Sequence, residues 1–398
     1  MPVIKSNNIK NRIVIAGAID SLGASIVWTG LPLYAYSITG SFLYTSSLFF
    51  TTAIARIIAT FLGGYLADVS SSKKIMIRCL SINWICYLFL FSGLFFKFTW
   101  IIFPVMLISQ GLSTISNMNQ NLWFNSLCSK ETLASEISGR NSWFLVSKTT
   151  GFSLGPLIYN YLNAYSLLIN LVTIIFAISL ISSIKNKGYV SVARKKDNIF
   201  NSFKEVYRNQ LLKRLNIIEI LNGLTFPVLT SLSIYILQKN LDASSITISS
   251  FWFIGGVGAV VANIALSRLK LFKLKYVYLF VISFSLIIGG LMLMTVANVP
   301  LVYLIGFSLF TLGTPIINNL LRSKVFIHAP KDMKGKITSV ITSSSDLGTV
   351  LALSISWIIV EKFGAISFMF FVIGTSVFRI CLFFFTLHKV ESSMEVRG

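Results

Sequence analysis

Apolar residues fill most of the chain in runs of about 20. The runs are separated by short clusters of lysine, arginine, serine or glycine. As a helix, a run of that length crosses a hydrocarbon core of about 30 Å. Strict apolar–polar alternation, the mark of barrel strands, is absent, so the runs read as helices. Twelve are placed, near 13–36, 42–67, 75–96, 99–122, 139–162, 165–184, 215–237, 246–266, 276–296, 301–321, 337–360 and 366–387. The first follows a short basic stretch. It is too long for a signal-peptide core and has no clean cleavage site after it, so it reads as an uncleaved span. The expected fold class is an all-α polytopic membrane protein of twelve helices in two halves. Residues 1–184 form the first half, 185–214 a linker and 215–398 the second half. Within the linker, Phe200 to Arg214 has the pattern of an amphipathic helix lying on a membrane surface.

Composition agrees with this pattern. Of 398 residues, 55% are hydrophobic and 12% charged, about half the charged fraction of a soluble domain. The formal charge of +21 suggests nucleic acid until its placement is read. Twenty-eight lysines and arginines fall on one side of the twelve spans. Only Lys97, Lys239 and Lys362 fall on the other. That asymmetry puts both termini in the cytoplasm, with the protein in the cytoplasmic (inner) membrane. The basic charge is then a topology signal with anionic lipid headgroups as partners, and nucleic acid is not expected. Cys79, Cys86, Cys128 and Cys381 lack metal or disulfide spacing and read as small apolar residues.

Three stretches carry a resemblance. After the second span comes "GGYLADVSSSKK", in which Gly64, Asp68, Lys73 and Lys74 keep the spacing of a glycine–acid–basic loop, while Val69, Ser71 and Ser72 depart from it. In the fifth span Gly151, Gly155 and Pro156 give a glycine–glycine–proline pattern, with Tyr159 and Asn160 where further small residues are usual. The halves also echo one another: Asp20 and Glu219 are 199 apart, as are Tyr36 and Tyr235. With twelve spans in two repeats, the chain resembles the major facilitator superfamily. The resemblance implies that Gly64, Asp68, Lys73 and Lys74 belong to a gate loop. It implies that Gly151, Gly155 and Pro156 shape a bent helix of the kind found in drug/proton antiporters. Spans 1, 4, 7 and 10 would line a cavity. An arginine usual in span 4 of exporters is absent, since Leu107 stands there.

Six charges lie inside the spans: Asp20, Arg56, Lys148, Glu219, Asp346 and Arg379. An ionisable residue in a membrane span is costly and marks function by default. Asp20, Lys148, Asp346 and Arg56 lie about 12–16 Å in, near the midplane. Helix neighbours in the superfamily bring Asp20 toward Lys148 and Arg56 toward Asp346. Such a network either moves a proton, with Asp20, Asp346 and Glu219 as carriers and Arg56 and Lys148 as partners, or is a fixed structural pairing. Arg379 is expected to reach back to the cytoplasmic surface. Polar stripes on spans 4 and 10 (Gln110, Ser113, Asn117 and Asn121; Thr311, Thr314 and Asn318) recur at helical spacing. They suit a substrate path, with Asn222, Trp28, Tyr36 and Trp123 adding to its wall.

"GFSLG" at 151–155 also fits the elbow of a serine hydrolase. Ser153 lies mid-span, however, and the only histidines are His328 and His388, so no enzyme is expected. No phosphate-binding loop is present. Neither a cofactor nor a metal is expected, the proton gradient supplying the energy. The expected function is export of a small molecule or short peptide (a drug, toxin or antibiotic) by proton antiport with alternating access, from a monomer. The AT-rich residue usage puts microcin-like peptides among the cargoes. The alternative is a proton-coupled uptake symporter for a small metabolite.

Overall fold

The computed structural model describes residues 3–96, 98–128, 133–185, 199–268, 276–329 and 334–395. The chain divides into two compact units, Met1–Lys196 and Asp197–Gly398, and the change falls inside the basic linker. All regular structure among the described residues is helical.

The first unit holds α1 (Val3–Thr39), α2 (Phe42–Val69), α3 (Ser72–Phe95), α4 (Ile102–Ser126), α5 (Leu133–Leu162) and α6 (Leu167–Ser182). The second holds α7 (Ile199–Arg208), α8 (Gln210–Tyr235), α9 (Ser245–Arg268), α10 (Tyr276–Thr295), α11 (Pro300–His328) and α12 (Lys334–Glu395). α12 is broken at Gly364, where φ is 82° and ψ 165°. Only glycine adopts that backbone without strain, so one apolar stretch becomes two arms. Ten helical stretches among the described residues are long and apolar enough to cross a membrane. Two of them, Gly139–Ser182 and Ser343–Leu387, run 44 and 45 residues and hold two crossings each. The first turns at a 3-10 segment, Asn163–Ser166, and the second at Gly364. The twelve expected crossings are all present.

In the first unit α1 packs along α5 and α6, α4 along α2 and α3, and α3 along α6. Wholly buried Ile13, Leu31, Leu90 and Trp123 anchor the core. Trp123 therefore belongs to the packing and not to a cavity wall. In the second unit α8 packs along the first arm of α12, and α11 along α9 and α10. Phe251 and Phe307 stack there with ring centroids 3.8 Å apart.

The linker differs from expectation. Phe200–Arg214 is not one surface helix, because Asn209 interrupts it. The Asn209 side chain accepts hydrogen bonds from the Leu211 and Leu212 amides, an N-cap that starts α8 five residues before the expected span. The short α7 ahead of it buries Val206 completely and packs on α8 and α12.

Candidate functional site

In the first unit the site begins with Asp20 on α1. Three residues to either side stand Gly17, against Gln120 and Phe144, and Gly23, against Asn170 and Thr173. Residues three apart share a helix face, so Asp20 points between these contacts into the interior of the unit. There it is half-buried, within electrostatic reach of Tyr87, itself beside Ser109 and Asn170.

The expected partnership with Lys148 takes a different form. α1 does lie along α5, but the face that meets α5 carries Leu22, Ser25, Ile26 and Thr29. Asp20 is about half a turn away from that face. Lys148 is exposed, and the ion pairs of the described residues include neither group.

The α1–α5 seam is built by small residues. A Cβ at Gly151 would lie 2.5 Å from the Leu22 carbonyl oxygen, and one at Gly155 would lie 2.7 Å from that of Ile26. Only glycine lets two backbones approach so closely. Thr29 crosses the seam to donate to the Phe152 carbonyl at 3.3 Å. Pro156 sits inside a continuous α5. Tyr159, which stands where a small residue is usual, is accommodated because its ring packs on Gly30 of α1. Asn160 is exposed. Ser153 donates its hydroxyl to the Thr149 carbonyl at 2.8 Å, as a helix serine does and a catalytic nucleophile does not.

The polar stripes divide in the same way. On α4, Gln110 is half-buried, Ser113 accepts from Asn83 at 3.4 Å and Asn117 is exposed. The buried polar groups of that helix are Ser109, Ser116, Asn119 and Gln120, which the sequence pattern did not single out; Gln120 donates to the Ile13 carbonyl at 2.7 Å. On α11, Thr311 and Thr314 are buried and donate to carbonyls of their own helix. Asn318, one turn further on, has a different role.

Asn318 belongs to a charged cluster inside the second unit. Arg379, on the second arm of α12, donates to the Asn318 side-chain oxygen at 2.5 Å and is only 4% exposed. It does not reach back to the surface as expected. It lies about 15 Å along the helix from Lys389, further than its side chain can span, so it turns inward to a polar partner. Glu219 on α8 is 7% exposed and accepts from Asn222 at 3.4 Å. Arg379, Arg322 and Asp346 all lie within its electrostatic reach. Glu219 and Arg379 form no direct ion pair, and the Arg379 Nε, the Asn222 oxygen and the Asn216 oxygen are buried without a hydrogen-bond partner. A buried polar cluster left partly unsatisfied is costly and fits a proton, water or polar ligand. The adjoining α8–α12 seam is another glycine contact, in which Gly223 faces the Ser345 backbone and Gly348 that of Ile220. Asp346 lies half-buried one residue beyond Ser345.

Arg56 is half-buried on α2. Of the gate-loop residues, the side chains of Gly64 and Asp68 fall outside the described residues. Lys74 is exposed. Lys73 donates to the carbonyls of Ser182, at 3.0 Å, and Ile184, closing the C-terminal end of α6 where the helix dipole favours a cation.

Solved structures share this architecture. The peptide transporter PepTSo, of the POT family, superposes with a TM-score of 0.78 at 11% identity, covering 96% of this chain and 98% of that one. A POT family transporter in complex with a thioalcohol-conjugated peptide gives 0.77 at 12%, covering 98% and 96%. The nucleoside transporter NupG gives 0.72 at 13%, covering 96% and 98%. At such identities the likeness is one of fold. No curated protein matches the sequence. The family description that does match, over residues 13–353, is that of the Major Facilitator Superfamily. An all-helical membrane chain of twelve crossings that fits it over most of its length belongs to that superfamily, and is a secondary active transporter.

Proposed function

We propose that this transporter exports a small molecule or short peptide by proton antiport, alternating access between the two sides of the cytoplasmic membrane, with both termini in the cytoplasm. The observation that carries the reading is the pair of acids on the first long helix of each unit, Asp20 and Glu219. Both are drawn out of solvent, and neither is held in a direct ion pair among the described residues. A carboxylate gripped by a close cation stays ionised. One that is partly desolvated and loosely neutralised changes its proton affinity when its access to water changes. In this reading Asp20 and Glu219 carry the proton, Asp346 tunes Glu219, and Arg379 supplies the opposing charge.

The direction of transport rests on the Gly151–Gly155–Pro156 pattern, which resembles that of drug/proton antiporters. The solved relatives include transporters named for peptides and nucleosides and a D-xylose–proton symporter. Those names support a small polar or peptidic cargo moved with protons.

Everted vesicles test the proposal. With an acid interior reported by a quenched weak-base dye, adding a cargo of an antiporter releases protons and restores fluorescence. Cargo uptake only into right-side-out vesicles would establish the symporter instead.

A further inference from the structure

A cavity of about 810 Å³ opens between α1 and α5, on the Lys10 side of the glycine seam. Its origin is steric. Gly151 and Gly155 bring the two helices together, whereas nearer the start of α5 the bulky ring of Phe144 lies against Gly17 of α1. The wall is mostly apolar, with Val14, Ile15, Ile19, Leu22 and Trp143, and its mouth carries Lys10, Glu136 and Arg140.

The three charges are not equivalent. Lys10 is neutralised by Glu136 at 2.5 Å. Arg140 has no carboxylate partner among the described residues. Its guanidinium is flanked by the rings of Phe124 and Phe144, 5.2 and 5.6 Å from their centroids. One nitrogen, Nη2, donates to Asn141 at 3.2 Å. Nε and Nη1 are screened from solvent and have no acceptor among the described residues. A partly buried cation with two of its nitrogens left without acceptors is costly, and each such group calls for an explanation. The aromatic rings hold the guanidinium beside the cavity, and a turn about its terminal bonds presents two of its nitrogens to a carboxylate or phosphate.

We propose that this cleft binds an amphipathic anion, its apolar body lying along Ile15, Ile19 and Trp143 and its carboxylate or phosphate on Arg140 beside Lys10. The volume matches that of a small-molecule pocket. The occupant is a free organic acid or the headgroup of an anionic lipid, two sources of the same chemistry. The site holds for either direction of transport.

The test uses purified full-length protein titrated with 11-bromoundecanoate, whose bromine quenches a neighbouring indole. The acid is expected to quench through Trp143 and to bind at least about tenfold more tightly than 11-bromoundecanol, the advantage of a charge-assisted bond over a neutral one. Arg140→Gln should erase that preference. Glu136→Gln removes the only carboxylate among the described lining residues and should tighten the acid severalfold. Trp143→Phe should remove the quench. Repeating the titration in nanodiscs distinguishes the sources. Displacement by phosphatidylglycerol but not phosphatidylcholine identifies a lipid headgroup, and equal binding in both identifies a free acid. Equal affinity for acid and alcohol, or an Arg140→Gln protein that still prefers the acid, overturns the proposal. Should Arg140→Gln not fold, a Glu136→Gln protein with unchanged or weaker affinity overturns it too.

Discussion

Gly223→Ala adds one methyl group where the second unit has no room for it. Its Cβ would lie 2.7 Å from the Ser345 carbonyl carbon and 3.0 Å from the Thr349 nitrogen, and closer still to the Ser345 oxygen. These neighbours are backbone atoms of a packed helix, so no side chain can swing aside. α8 and the first arm of α12 must part by on the order of 1 Å, a gap that forfeits a quarter to a half of each dispersion contact along the seam. Overpacking of this kind costs about 1–3 kcal/mol, or more where backbone is involved. Alanine returns about 1 kcal/mol through helix propensity.

Gly289→Ala is the matched control. It is also a helical glycine, but a Cβ there meets nothing within 4 Å, so only the propensity gain of about 1 kcal/mol remains. Thermal unfolding of the full chain in detergent should therefore move in opposite directions. Gly223→Ala should lower the midpoint by about 1–2 °C and Gly289→Ala should raise it by about 1 °C, as the entropy of unfolding scales with chain length. Because Asn222 and Glu219 adjoin the seam, Gly223→Ala should also slow transport, which Gly289→Ala should not. If both variants shift the midpoint equally and with the same sign, the close α8–α12 approach is not what selects glycine at 223.

Three further outcomes are expected. Glu219→Gln and Arg379→Met should each destabilise the protein, and the double variant by less than their sum. The coupling should stay below about 4 kcal/mol, the value for charges 4 Å apart at an effective dielectric of 20; strict additivity in a denaturation cycle would separate the two groups. Asp20→Asn should abolish proton-driven uphill transport while sparing counterflow exchange, and normal uphill transport would remove Asp20 from coupling. In the loop after α4, burial and then the hydrogen bond and charge of Glu136 push the Cys128 thiol up to about 11. A protein retaining only that cysteine should alkylate at pH 7.5 on the order of ten- to a hundredfold more slowly than an ordinary thiol, since only the thiolate reacts. Glu136→Gln should speed the reaction, and a rate insensitive to that change would contradict the contact.

The twelve crossings were legible in the chain because hydrophobic length and basic clustering are local properties. Each span declares its own cost in water, and no neighbour is needed to read it. The charged residues inside the spans were legible for the same reason. Their partnerships were not. Whether Asp20 meets Lys148 depends on helix phase, and the phase of α1 is fixed by Gly17, Gly23 and the Gly151–Gly155 seam, none of which touches the carboxylate. Arg379 looked like a residue that reaches for the surface, because the side chain it meets, Asn318, is 61 residues away in sequence. The stripe of Thr311, Thr314 and Asn318 shares one helix face, yet only the packing around α11 decides that two hydroxyls stay with their own helix while Asn318 takes a charge. Sequence alone determined which segments cross the membrane and which costly groups they carry. Tertiary structure decided which of those groups neutralise one another, because that depends on rotations of whole helices set by close contacts elsewhere.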